Sequence, residues 1–185
     1  MRFCFLSLFV LALFLGSAAP ADAGQDDQRL DVLFKRLQNT SDQNEARSIE
    51  TTIWQIWIEA KTDNLNQLMR TGIAAMNAGR LSDALRVFDK LVEVAPTFAE
   101  GWNKRATVYY LMKSFDASVN DIAQTLKLEP RHFGALSGLG LINQAIGRTA
   151  AAIKAYEQAL EVNPHLLGLR DKVKVMKEAL KGEET

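Results

Sequence analysis

The sequence predicts an all-α protein built as a stack of helical hairpins, on three observations. Pro96, Pro130 and Pro164 recur at a spacing of 34 residues, and each closes a stretch that reads as two short helices. Other positions keep the same step through units 65–98, 99–132 and 133–166. The fourth residue is large (Leu68, Trp102, Leu136), the eighth tiny (Gly72, Ala106, Gly140), the twentieth small (Ala84, Ser118, Ala152), the twenty-fourth bulky (Phe88, Ile122, Tyr156) and the twenty-eighth aliphatic (Val92, Leu126, Leu160). Finally, the flanks carry the i, i+3, i+4, i+7 spacing of amphipathic helices.

From the N-terminus, residues 1–23 read as a cleavable signal peptide. Met1-Arg2 gives a positive start, Phe3 to Leu15 is apolar apart from Ser7, and Ala21-Asp22-Ala23 has the small-x-small form of a cleavage site. As a helix the apolar run rises only about 20 Å against a hydrocarbon core of about 30 Å, so it favours a cleaved leader over an anchor. Cleavage is expected after Ala23, with Ala21 as the alternative, which implies a periplasmic or secreted protein with no transmembrane segment in the mature chain. Cys4, the only cysteine, lies inside this leader. The mature chain therefore has no disulfide, thiolate ligand or cysteine nucleophile, and folds on its apolar core alone.

Residues 24–64 read as a helical pair. Leu30, Leu33, Phe34 and Leu37 form one stripe over Asp26–Gln38. After a polar break, Thr40 and Gln43 suggest a capping box for a helix running to about Ala60, with Ile49, Ile53, Ile56 and Trp57 on one side. The pair is expected to be a degenerate repeat or a cap. Trp54 and Trp57 are expected as core between it and the first repeat, with a ligand platform as the alternative reading, and they would also suit a surface through which copies of the chain pair.

Within each repeat, large residues at positions 4, 24 and 28 face the partner helix, and tiny residues at 8 and 20 let the two axes approach. Gly72 and Gly140 each cost about 1 kcal/mol of helix propensity, which close packing offsets. Proline at position 32 stops the second helix. Residues 167–185 read as a last amphipathic helix and tail, the helix starting at Leu166 with Leu169, Val173, Met176 and Leu180 on its stripe. Such a helix covers the last repeat with one face and meets water with the other.

The W-x2-L-G-x2-Y … A-x3-F … P pattern at period 34 resembles the tetratricopeptide (TPR) repeat family, over roughly three-fifths of the mature chain. Thr71 and Arg105 depart from it at position 7, and Asn143 at position 11. The resemblance implies a right-handed superhelix whose first helices line a concave groove that binds a protein or peptide. It places Asn66, Met69, Ile73, Asn103, Thr107, Tyr110, Ser137, Leu141 and Gln144 in that groove, with Glu100 its one charged residue. The family's clamp for chaperone C-terminal carboxylates uses Lys and Asn in the first repeat and Lys and Arg in the third. Met69, Ile73, Gly134 and Gly138 stand there instead. The expected ligand is thus not strongly acidic.

Composition narrows the rest. Acidic and basic residues balance at 22 each, with no cationic run, so the positive footprint of a nucleic-acid binder is missing. No triad, H-E-x-x-H, Walker or dinucleotide glycine pattern is present, so no catalytic residue, metal or cofactor is expected. His132 and His165 stand at the last turns of successive repeats and read as solvent-facing or capping residues. The stretch Glu129–Gly140 holds Gly134, Gly138 and Gly140, poor helix material. It reads as tight packing with Arg131 paired to Glu129, or else as a close approach by a partner with Arg131 and His132 as secondary contacts. The expected function is an exported interaction scaffold in envelope assembly or protein maturation. A small-ligand or lipid carrier is the alternative, which a closed pocket of a few hundred Å³ would favour.

Overall fold

The computed structural model describes residues 24–183; the leader expected at 1–23 lies outside them. Among the described residues there are nine α-helices and no strand: α1 (Arg29–Asn39), α2 (Gln43–Ile58), α3 (Asp63–Asn77), α4 (Leu81–Val94), α5 (Ala99–Leu111), α6 (Phe115–Leu128), α7 (Phe133–Ala145), α8 (Thr149–Val162) and α9 (Leu169–Glu183). A single 3-10 turn, Gly24–Asp26, precedes them.

The three repeats are the hairpins α3–α4, α5–α6 and α7–α8, stacked in order. Their packing follows the size pattern of the sequence. A Cβ on Gly72 would stand 2.6 Å from the Phe88 ring, and one on Gly140 would run into the Tyr156 ring. In the middle repeat Ala106 takes that place, and the buried Ser118 hydroxyl donates to its carbonyl at 2.7 Å. The small residue there thus also supplies a cross-helix hydrogen bond.

Each first helix ends in the same way. Gly79, Lys113 and Gly147 occupy equivalent positions with φ of 72°, 59° and 75°. The amides of Arg80, Ser114 and Arg148 reach back to the carbonyls of Ala75, Tyr109 and Asn143, and those of the left-handed residues to Met76, Tyr110 and Gln144. This double closure is a Schellman motif. Lysine holds it in the middle repeat against the Cβ cost of that conformation.

The helical pair α1–α2 does not stack below α3–α4 as a further repeat. It lies along the edge of the array, across the loops that join one hairpin to the next. Gln25 bonds the Thr97 carbonyl and the Ala99 amide at the first loop. Arg131 reaches Asp31 at the second. At the third, His165 donates to the Leu37 carbonyl, Gln38 to the Glu161 carbonyl and Asn163 to Glu50. The apolar face behind these bonds joins Leu30, Phe34, Leu37, Ile53 and Trp57 to Phe133. The tryptophans are core, but against the second and third repeats rather than the first. Trp57 is 1 % exposed and Trp54 is half-buried against the same cluster.

Local details also differ. Asp42, not Thr40, caps α2, accepting from the amides of Asn44 and Glu45. Thr40 donates to Glu45 instead. α9 begins at Leu169 after Gly168 at φ 70°. Leu166 is therefore not on its stripe and packs on the α1–α2 cluster. Val173, Met176 and Leu180 cover Ile153 and Tyr156 of the last repeat, as a closing helix should.

Candidate peptide-binding groove

The groove face is set by the first helices α3, α5 and α7. On α3 the expected contacts are absorbed by the fold. Met69 is 1 % exposed and sits in the core with Phe88 and Leu91. Asn66 brackets Ala60, accepting from its amide and donating to its carbonyl at 2.9 Å each, which pins the link from α2. Ile73 is half-buried against the same core.

Between α5 and α7 the expected residues converge. Asn103, Thr107, Tyr110, Ser137 and Leu141 surround a cavity of about 180 Å³. Its floor is Ala106, Ile122, Ala135 and Ile142, and Gly134 and Gly138 lie along one side. No charged side chain lines it. The Thr107 hydroxyl is spent on the Asn103 carbonyl, whereas Leu141 is 39 % exposed. Gln144 lies outside the cavity and accepts from the Tyr156 hydroxyl at 3.1 Å.

Glu100 is not a groove charge. It is 1 % exposed and forms the centre of a buried polar hub. Its Oε2 accepts from Asn103 Nδ2 at 2.9 Å and lies 2.8 Å from His132 Nε2; its Oε1 is 2.8 Å from Lys104 Nζ. Burial pushes the carboxyl up, but the Lys104 charge and the His132 bond outweigh it and hold Glu100 down at about 2. His132 Nδ1 accepts from the Ala135 amide at 3.1 Å, so the ring proton sits on Nε2 and points at Glu100. His132 thus caps α7 as expected, but it is fully buried rather than facing solvent. The Trp57 ring stacks on it at 4.1 Å and 10°, and Lys104 stands over Trp54 at 5.3 Å.

Arg131 and His132 therefore do make contacts across a close approach, but to the chain's own α1–α2 pair. Arg131 binds Glu129 and Asp31 and lies over the Phe34 ring at 4.6 Å. Gly134 is required because a Cβ there would stand 2.5 Å from Trp54. Sequence reasoning missed Lys104 and the cavity floor. Lys104 at position 6 has no pattern to mark it, and the floor residues are ordinary core by type. Among the described residues no cluster of His, Cys, Asp and Glu is arranged to hold a metal, and no helix is long and apolar enough to cross a membrane.

The chain belongs to the tetratricopeptide repeat family: the family model matches residues 69–119 and 112–166. A TPR repeat-containing protein of Rhizobium etli is 35 % identical over 158 residues, 85 % of this chain and 78 % of that one. That span is long enough to take in helices outside the repeats. The small glutamine-rich tetratricopeptide repeat-containing protein 2 of Mycosarcoma maydis is 29 % identical over 114 residues, and the match spans 62 % of this chain and 32 % of that one. Among solved structures, the first TPR of Spaghetti bound to the HSP90 peptide SRMEEVD superposes with a TM-score of 0.60 at 22 % identity, over 63 % of this chain and 93 % of that one.

Proposed function

We propose that the protein is an exported TPR adaptor that holds a peptide or protein partner in the groove between α5 and α7, in cell-envelope assembly or protein maturation. The observation that carries this reading is the convergence of Asn103, Thr107, Tyr110, Ser137 and Leu141 on one open, uncharged cavity. At about 180 Å³ it is smaller than the sites that enclose small molecules, which favours one side chain of a larger ligand over a lipid. The Spaghetti domain binds an acidic peptide. In this chain the places of the family's carboxylate clamp (Lys and Asn in the first repeat, Lys and Arg in the third) are held by Met69, Ile73, Gly134 and Gly138, which supports a ligand without a negative terminus. Export rests on the leader pattern of residues 1–23 and is tested by N-terminal sequencing of the envelope fraction, with Gly24 as the expected first residue.

The groove reading is tested by photo-crosslinking in cells, with a photo-reactive residue at Tyr110 or at the exposed Lys154 of α8. One protein captured from Tyr110 and not from Lys154 supports the adaptor. Capture from neither, with a lipid co-purifying, replaces it with a carrier.

A further inference from the structure

The three glycines of α7 are not equivalent. Gly134 is held by Trp54 and Gly140 by Tyr156, since a Cβ at either would overlap a ring. Gly138 is under no such demand. The nearest atom to its Cβ position is Ile122 Cδ1 at 3.5 Å, an ordinary contact, and its φ is not among the positive ones. Glycine in a helix interior is destabilising relative to alanine. Neither backbone nor packing explains it here. What lies beside it is the α5–α7 cavity.

We infer that this cavity is an anchor pocket for one uncharged, leucine- or phenylalanine-sized side chain of an extended partner segment, and that Gly138 keeps it open. The inference deepens the adaptor reading and rests on it. Size fits: the cavity measures about 180 Å³, and an apolar cavity of about 150 Å³ accepts benzene. Charge fits as well. The lining carries no carboxylate, amine, guanidinium or imidazole, and the nearby carboxylate of Glu100 is buried and already met by Lys104 and His132. A charged side chain would enter without a counter-charge and lose its hydration. Tyr110 and Ser137 line the cavity and are half-buried, so their hydroxyls would be open to the backbone of an extended segment. The occupant is not α2, whose Trp54 packs on Gly134.

The test uses the purified, 15N-labelled protein with three probes: N-acetyl-leucinamide, N-acetyl-phenylalaninamide and the N-methylamide of N-acetyl-aspartate. The leucine and phenylalanine probes are expected to shift the amides of Thr107, Ser137, Gly138 and Leu141, and the aspartate probe to leave them in place. Gly138→Ala should raise Tm by about 2–4 °C and weaken the apolar probes about ten-fold, because the added methyl takes pocket volume. Gly138→Leu should abolish their binding; if that variant fails to fold, the alanine variant decides. Unchanged affinity in Gly138→Ala, a fall in its Tm, or aspartate binding at the same amides overturns the anchor. If the probes behave as expected but Tyr110 crosslinks to nothing, the pocket stands and the adaptor reading falls. Crosslinking at Tyr110 with no apolar-probe shifts leaves the adaptor and removes the anchor.

Discussion

Replacing Glu100 by glutamine keeps the shape of the buried hub and removes its charge. In the folded protein the carboxyl is held at about 2, against an ordinary value of 4.5. A folded value below the unfolded one means the ionised form stabilises the fold. That contribution is fully present above about pH 4.5 and is lost as pH falls toward 2. A displacement of this size corresponds to about 3 kcal/mol at pH 7, of which about 2 kcal/mol is gone by pH 3. Glu100→Gln should therefore cost about 3 kcal/mol at pH 7. It should also flatten the acid limb, so that the gap between the two proteins shrinks to about 1 kcal/mol at pH 3. Urea unfolding followed by circular dichroism at pH 7 and pH 3 measures both. A loss under about 1 kcal/mol at pH 7, or a gap that does not narrow on acidification, would refute the electrostatic account of the hub. Trp57 Nε1 lies in the same hub, buried and without a hydrogen-bond partner among the described residues. The neutral indole does not alter the charge argument.

Other consequences follow from the repeat geometry. Lys113→Gly should stabilise the protein by about 1 kcal/mol in the same titration, because it relieves a left-handed non-glycine residue, whereas Gly147→Ala should destabilise by a similar amount. Gly140→Ala should lose about 1–3 kcal/mol despite alanine's helix propensity, since its Cβ meets the Tyr156 ring. Combining it with Tyr156→Ala should recover part of that loss in a double-mutant cycle. Arg131→Ala removes ion pairs to the exposed Asp31 and to Glu129, whose carboxylate is only 2 % exposed and would be left without its counter-charge, so about 2–3 kcal/mol is expected, with groove crosslinking from Tyr110 unchanged.

The repeats were legible because a period of 34 fixes which residues face each other within one hairpin. Gly72 against Phe88 and Gly140 against Tyr156 are pairs sixteen residues apart in one pattern. The place of α1–α2 was not legible. Amphipathic spacing states that Leu30, Phe34 and Leu37 are buried; it does not state what buries them. The contact that decides the matter, Trp54 on Gly134, joins elements that no local rule relates. The same gap explains the groove. The family pattern puts positions 2 and 5 on the open groove, yet Glu100 and Asn103 lie in the hub that His132 and Trp57 complete. Thr107, Tyr110 and Leu141, further along α5 and α7, lie beyond the reach of α2 and keep the position the pattern assigns. Gly138 was visible as one of three glycines, but only the space around each separates a packing glycine from an unforced one.

A stack in which each hairpin touches only its neighbours melts in parts, because nothing links its ends. The α1–α2 pair changes that. Together with Gln25 of the 3-10 turn before it, the pair bonds the loop at Thr97–Ala99, the loop at Glu129–His132 and the loop at Asn163–His165. Opening any interface between repeats would strain or break its contacts with the others. The loops are also where the second helix of one repeat hands over to the first helix of the next, so they set the angle between α5 and α7. By bridging those loops from outside, α1–α2 braces the hairpins that flank the cavity at Tyr110, Ser137 and Leu141. On the adaptor reading, such a brace would let a ligand spend little of its binding energy on ordering the array. With only three repeats, the array reaches by an edge brace the rigidity that a longer solenoid draws from length.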